Sequence, residues 1–134
     1  MGRYLNRSKI MASEDRRKLE VQVPEWGGTL LLLAPAVSEL EAYQLRHRDV
    51  FVDGRAKDAV ESHVAAELVA LCICDENGKR EFPGPAEVLE FSRAKSPIVI
   101  NRLFDQCQAL CGMTKASQAE AKKNSEPTPS GDSG

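Results

Sequence analysis

The sequence is poor in aromatic side chains and has no long apolar run. Only 5% of its 134 residues are aromatic, so a core must be mainly aliphatic. The longest apolar stretch, residues 30–37, is interrupted by Pro35 and is far shorter than the roughly 20 residues that a membrane-spanning helix needs. The N-terminus lacks the apolar segment of a secretory signal. These absences predict a cytoplasmic location, no membrane partner and reduced cysteines.

Positive charge is not in excess either. The 18 Lys and Arg residues are outnumbered by 20 Asp and Glu, which gives a formal net charge of -2 at pH 7. Proteins that bind nucleic acid generally depend on clustered positive charge, because the phosphate backbone supplies most of the affinity. The charge balance therefore predicts no nucleic-acid partner.

Motifs for catalysis and cofactor binding are missing. Neither G-x-x-x-x-G-K nor G-x-G-x-x-G, the glycine-rich patterns that hold phosphates, occurs. The two histidines, His47 and His63, both fall in predicted helices, and neither has a plausible nucleophile beside it in sequence. We therefore predict no enzyme activity, no catalytic residues and no cofactor.

Four cysteines form two pairs, Cys72 with Cys74 and Cys107 with Cys111. Four thiols could hold zinc, although structural zinc sites usually use tight C-x-x-C knuckles. Cys107 and Cys111 fall on the apolar stripe of a predicted helix, where free cysteine behaves as a small hydrophobe. The pattern favours core packing and no metal site. A cysteine-based metal or redox protein stays as an alternative.

An N-terminal β-hairpin is predicted over residues 19–33. Apolar and polar residues alternate from Leu19 to Val23, which is the period of a half-buried strand. Pro24 ends this strand, and the Gly27–Gly28 pair lets the backbone turn through positive φ. Residues 29–33 form the return strand.

Three to four helices are predicted to follow, which makes the fold class α+β. Ser38 and Glu41 form a capping box near the start of the first helix, and Asp53–Gly54 ends it. Ser96 caps the last helix, and Gly112 lies where a C-terminal glycine belongs. The helices are expected at residues 37–51, 56–71, 85–92 and 97–111.

A second, very short hairpin is predicted between the helices. Asn77–Gly78 is a strong turn signal, and it lies between residues 71–74 and residues 79–82. Pairing of these two segments places the turn after the second long helix.

The chain divides into three parts. Residues 1–18 form a polar N-terminal arm that is either flexible or a short, loosely held helix. Residues 19–112 form the folded domain. Residues 113–134 form a disordered tail, because the segment from Thr114 onward contains no Val, Leu, Ile or aromatic residue and cannot bury enough apolar surface to fold.

Four motifs in a fixed order resemble a known family. They are Val-Pro-Glu-Trp-Gly-Gly at 23–28, Ala-Leu-Cys-Ile-Cys-Asp-Glu-Asn-Gly-Lys-Arg-Glu-Phe at 70–82, the apolar stripe at 100–110, and Ala-Lys-Lys-Asn-Ser at 121–125. Over residues 9–125 the chain resembles the tail assembly chaperones of long-tailed, lambda-like siphovirus bacteriophages and prophages. The resemblance depends on the order and spacing of the motifs.

The resemblance implies a non-enzymatic factor of virion morphogenesis. Such a chaperone binds the tape measure protein in the host cytoplasm, keeps it soluble while the tail tube polymerises, and is absent from the mature virion. The partners that it implies are the tape measure protein, the tail tube protein, and weakly associating copies of the chain. A longer form made by ribosomal frameshifting is also implied, and Lys122-Lys123-Asn124 can be encoded by an adenine run that favours slippage.

Partner contacts are predicted for Trp26, Tyr43, Phe51 and Val52, because large apolar groups near turns can stay exposed. Trp26, the only tryptophan, has a second interpretation in which its ring caps the open end of the core. A further alternative for the whole chain is a small DNA-binding regulatory module that uses helices 37–51 and 56–71. That module would need a basic recognition face.

Overall fold

The computed structural model describes residues 3–52, 55–56, 60–114 and 119. Ten helices and strands lie within these ranges, together with one short 3₁₀ turn at Pro24–Trp26. In chain order they are α1 (Arg7–Ala12), β1 (Lys18–Val23), β2 (Gly28–Leu33), α2 (Val37–Arg46), β3 (Phe51–Val52), β4 (Arg55–Ala56), α3 (Ser62–Cys72), β5 (Ile73–Cys74), α4 (Pro85–Ala94) and α5 (Pro97–Leu110).

The predicted N-terminal hairpin is confirmed. β1 and β2 pair antiparallel in an unbroken register from Lys18 opposite Leu33 to Val23 opposite Gly28. Gly27 has a φ of 77°, the left-handed conformation that glycine adopts without steric cost. The Pro24 and glycine signals therefore located the turn correctly.

The predicted turn at Asn77–Gly78 is also confirmed, and β5, the strand that precedes it, pairs on both of its sides. Cys74 forms an antiparallel bridge with Arg80, and Gly78 has a φ of 81°. On its other side β5 pairs antiparallel with β2, so the sheet order is β1-β2-β5. β2 is thus the central strand, and this position explains why its sequence is so apolar.

Helix α2 differs from the prediction at both ends. It begins at Val37, with Ala36 as the N-cap, so Ser38 and Glu41 do not form the predicted capping box. Glu39 accepts a hydrogen bond from the Ala36 main-chain N–H at 3.2 Å instead, and alanine has no side-chain oxygen to return one. The helix ends at Arg46 rather than residue 51. The predicted stop at Asp53–Gly54 lies outside the described residues.

Helix α3 begins later than predicted, at Ser62 rather than residue 56. Ala56, the first residue expected in the helix, belongs to β4, which pairs with Phe51 and Val52 of β3. Most of α3 is buried, including Val64 and Leu68, because α4 and α5 both pack against it.

Helices α4 and α5 agree with their sequence signals. Ser96 caps α5 and accepts a hydrogen bond from the Ile98 N–H at 3.3 Å. At the other end Gly112 has a φ of 73°, and the Met113 N–H bonds to the Gln108 carbonyl at 2.8 Å. This is a Schellman motif. Met113 itself is buried.

One aliphatic core joins the sheet to the helices. It combines Val21, Val23 and Leu32 of the hairpin with side chains from α2, α3, α4 and α5. Helix α1 buries none of its residues. Residues 115–118 and 120–134 of the predicted tail lie outside the described part of the chain. Among the residues described, no helix has the length and apolarity to cross a bilayer.

Candidate partner-binding surface

A groove of about 450 Å³ lies between α3 and α4. Leu71 of α3 and Val88 and Leu89 of α4 supply its apolar floor, and the proline-rich segment 83–85 also lines it. Leu89 is 48% exposed, a large value for a leucine in the middle of a helix. Large aliphatic side chains that stay in contact with water inside a concave surface are typical of a docking site.

The charged side of the groove is held by hydrogen bonds to Glu67. The Glu67 carboxylate accepts from Arg46 Nε at 2.9 Å and contacts His47 Nε2 at 2.7 Å. Burial opposes ionisation of this carboxyl, but the hydrogen bonds from His47 and Arg46 outweigh that effect and lower its pKa. A second ion pair joins Arg80 beside the groove to Glu39 of α2. The charges around the groove are therefore paired with one another, which leaves its apolar floor as the feature a partner would meet.

Trp26 lies at a different place, at the hairpin turn. Its half-buried ring meets Phe91 edge-on at a centroid distance of 6.0 Å, and Lys95 Nζ lies 5.4 Å from its centroid. The neighbouring Glu25 forms a two-bond ion pair with Arg102 of α5, with both distances 2.8 Å. The hydrogen bonds from Arg102 lower the pKa of Glu25 to about 2. These contacts fit the interpretation in which Trp26 caps the core, and its contact with a partner stays a prediction.

Tyr43 belongs to the core. Its side chain is fully buried, and its hydroxyl donates to the Val64 carbonyl at 2.7 Å. Burial raises the pKa of Tyr43. The expectation that this residue stays exposed near a turn is wrong, because α2 directs it inward against α3. In this conformation it has no surface to offer a partner.

Phe51 and Val52 form the strand that follows α2. Phe51 is half-buried and meets Tyr43 edge-on at a centroid distance of 5.4 Å, whereas Val52 is 54% exposed. Trp26 packs on Phe91, and Phe51 packs on Tyr43, so the residues predicted as one contact set divide between two clusters. None of them lines the groove between α3 and α4.

Sequence reasoning missed the groove itself. Its floor joins Leu71 to Val88 and Leu89, which are separated by a strand and a turn. One signal was present in the sequence. Leu89 follows Val88 and lies off the stripe that carries the buried Phe91, and such an apolar residue on the outer side of an amphipathic helix indicates an uncovered surface.

The cysteines divide by environment. Cys72 and Cys107 are fully buried between α3 and α5, and the sulfur atoms of Cys72 and Cys111 lie 3.9 Å apart. Contact with the Cys107 thiol and burial raise the pKa of Cys72, which keeps it in the unreactive protonated form. Within the described ranges, no group of His, Cys, Asp or Glu side chains is arranged to hold a metal ion. Cys72 and Cys107 therefore act as core side chains.

The DNA-binding alternative has little structural basis. Its second helix is α3, which is the central helix of the core and buries most of its residues. A recognition helix must present one full side to the major groove, with basic residues on it. Helix α3 has no such side.

Comparisons with known proteins agree with the resemblance at the level of the fold. No protein-family model matches the sequence, and no curated protein sequence matches it. Among solved structures, the bacteriophage HK97 tail assembly chaperone is similar, with a TM-score of 0.54 and 23% sequence identity. The similarity covers 77% of this chain and 94% of that chain. This chain therefore has the fold of a bacteriophage tail assembly chaperone.

Proposed function

We propose that this protein is a phage tail assembly chaperone that binds the tape measure protein and keeps it soluble while the tail tube polymerises. The observation that carries the proposal is the similarity in fold to the HK97 tail assembly chaperone over 94% of that protein. The order of four sequence motifs supports it independently. The chain acts by binding and catalyses no reaction.

The groove between α3 and α4 is the binding site that we propose for the partner. A tape measure protein is a very long helical chain whose apolar stretches would aggregate if left uncovered. A helix of that kind can lay its apolar side on Leu71, Val88 and Leu89. The ten-residue α4 is about 15 Å long, so one copy covers only a few turns of the partner.

Binding of many copies, each to a short stretch of the partner helix, suits the proposed chaperone function. Each site gives a weak contact, and several copies along one partner raise the total avidity without tight single sites. Tail tube subunits can then displace the copies one at a time. The excess of acidic residues helps to keep both proteins soluble during this exchange.

Co-expression tests the proposal. The tape measure protein encoded near this chain is produced alone and together with the full chain, and its soluble fraction is measured after lysis. We expect the chain to raise the soluble fraction and to co-purify with the partner. An equally insoluble partner in both cases would contradict the proposal.

A pair of variants tests the groove separately. Leu89→Glu places a charge on the groove floor, and Arg93 one helical turn later can pair with it, so the helix is retained. Ile98→Glu makes the same change at an aliphatic residue that is 77% exposed and lies outside the groove. We expect Leu89→Glu to lose most of the solubilising effect and Ile98→Glu to keep it. Equal effects of the two variants would exclude the groove as the site.

The proposal includes a longer form of the chain made by frameshifting near residues 122–124. The gene sequence tests this part by itself. Codons that form a slippery adenine heptamer near these residues support it, and their absence between residues 112 and 134 removes it.

A further inference from the structure

Among the described residues, no strand pairs with the outer edge of β1. The sheet order β1-β2-β5 places β1 at one end. The Ala34 N–H donates to the Arg17 carbonyl at 2.9 Å, so Arg17 and Ala34 form a hydrogen-bonded pair. Such pairs alternate along an antiparallel ladder, so every second residue from Arg17 directs its main-chain groups toward β2. The main-chain N–H and C=O groups of residues 18, 20 and 22 therefore point away from the sheet.

Charged side chains are the protection against pairing that this edge carries. Edge strands are commonly covered, interrupted by proline or a bulge, or lined with charged residues. β1 contains no proline and its register with β2 is unbroken, so within the described residues the charges of Lys18 and Glu20 are what a neighbouring strand would meet. Leu19 is 39% exposed, and it borders a groove of about 420 Å³ that Ala109 and Leu110 of α5 also line. There is room here for a side chain from a neighbouring strand.

The charges on β1 complement a second copy of β1. We propose that two copies of the chain pair antiparallel through their β1 edges, with a two-fold axis between the two Leu19 residues. A residue that precedes Leu19 by a given number of positions in one copy then faces the residue that follows Leu19 by the same number in the second copy. Lys18 of each copy lies opposite Glu20 of the other, and both belong to the set whose main-chain groups point outward.

The two neighbouring registers bring like charges together. The nearest shift in either direction that keeps the outward groups aligned places either Glu20 opposite Glu20 or Lys18 opposite Lys18. Opposite charges on directly facing residues stabilise a strand pair, and like charges destabilise it. The proposed register alone among these three contains two Lys–Glu pairs, and it joins the two Leu19 side chains on the core side of the sheet.

This dimer requires no bound partner, so it can be tested apart from the proposed function. Sedimentation equilibrium of the full chain over a wide concentration range should show a monomer–dimer equilibrium. Lys18→Glu and Glu20→Lys each replace two attractive pairs by two repulsive ones, and each should raise the dissociation constant at least about tenfold. Glu41→Lys, at an exposed residue of α2, changes the net charge as Glu20→Lys does and should leave the dimer unchanged.

Mixing the two edge variants is the decisive step. The Lys18→Glu variant carries two acidic side chains at the paired positions, and the Glu20→Lys variant carries two basic ones, so an interface between them again contains two opposite-charge pairs. An equal mixture should associate about as tightly as the unmodified chain, although neither variant does so alone. Circular dichroism checks that both variants are folded.

Three results would overturn the proposal. The first is an unmodified chain that stays monomeric at every concentration. The second is a dimer that both single variants leave unchanged. The third is a mixture of folded variants that fails to associate.

Discussion

At the residue scale, Tyr43 shows how a polar aromatic group becomes part of an aliphatic core. The ring fills space between α2 and α3, and the hydroxyl reaches the Val64 carbonyl instead of water. A buried hydroxyl without a partner would be costly, so this hydrogen bond makes the position specific for tyrosine.

Replacing Tyr43 by phenylalanine tests this interpretation. The Tyr43→Phe variant keeps the ring and loses the hydrogen bond, and we expect the free energy of unfolding to fall by about 1 kcal/mol. Urea denaturation measures the change. Tyr4→Phe, the same substitution at an exposed residue, serves as the control and should change nothing. Equal stabilities of the two variants would show that the hydroxyl of Tyr43 contributes nothing.

Glu67 makes stability depend on pH. Because its pKa is lowered in the folded state, its contribution is complete above the ordinary glutamate pKa of 4.5 and is lost as the pH falls through the folded value. We expect the unmodified chain to lose more stability than Glu67→Gln when the pH is lowered from 6 to about 3. Urea unfolding at several pH values measures this difference. Parallel pH profiles for the two proteins would contradict it, and Glu41→Gln, at an exposed residue of α2, is the matched control.

At the element scale, local signals were sufficient wherever the hydrogen bonds are local. Four signals for strand ends, turns and helix caps act within a few residues, and each was located correctly from the sequence. They are Pro24, Asn77–Gly78, Ser96 and Gly112. Local sequence signals failed where pairing with another segment determines the secondary structure. Ala56, expected at the start of α3, pairs with Phe51 in the β3–β4 pair instead, and β5 joins β2 by a pairing that no local pattern contains.

Gly112 allows a quantitative test of a helix end. Its φ of 73° disfavours every side chain, and no atom lies within 4 Å of the position that a Cβ would occupy. Gly112→Ala should therefore lower the free energy of unfolding by about 1–2 kcal/mol through backbone strain alone. Gly28 has equally open space without a positive φ, so Gly28→Ala should cost much less. Thermal unfolding compares the two, and equal losses would exclude strain as the cause.

At the scale of the whole molecule, the chain combines a stable aliphatic core with an uncovered groove. The fold class and the family resemblance could be predicted because they depend on patterns along the chain. The groove could not, because Leu71 and Leu89 meet only after α3 and α4 pack together. Packing of α2 against α3 likewise explains why Tyr43, which the sequence places near a turn, is buried in the core.

The central claim is that the chain binds a partner helix in the groove between α3 and α4. Hydrogen–deuterium exchange of the full chain, alone and in complex with the tape measure protein, tests it most directly. The claim predicts slower exchange on binding in α4 and in residues 80–84, with little change in α1. Protection confined to other elements, or no protection in a complex that does form, would contradict the claim.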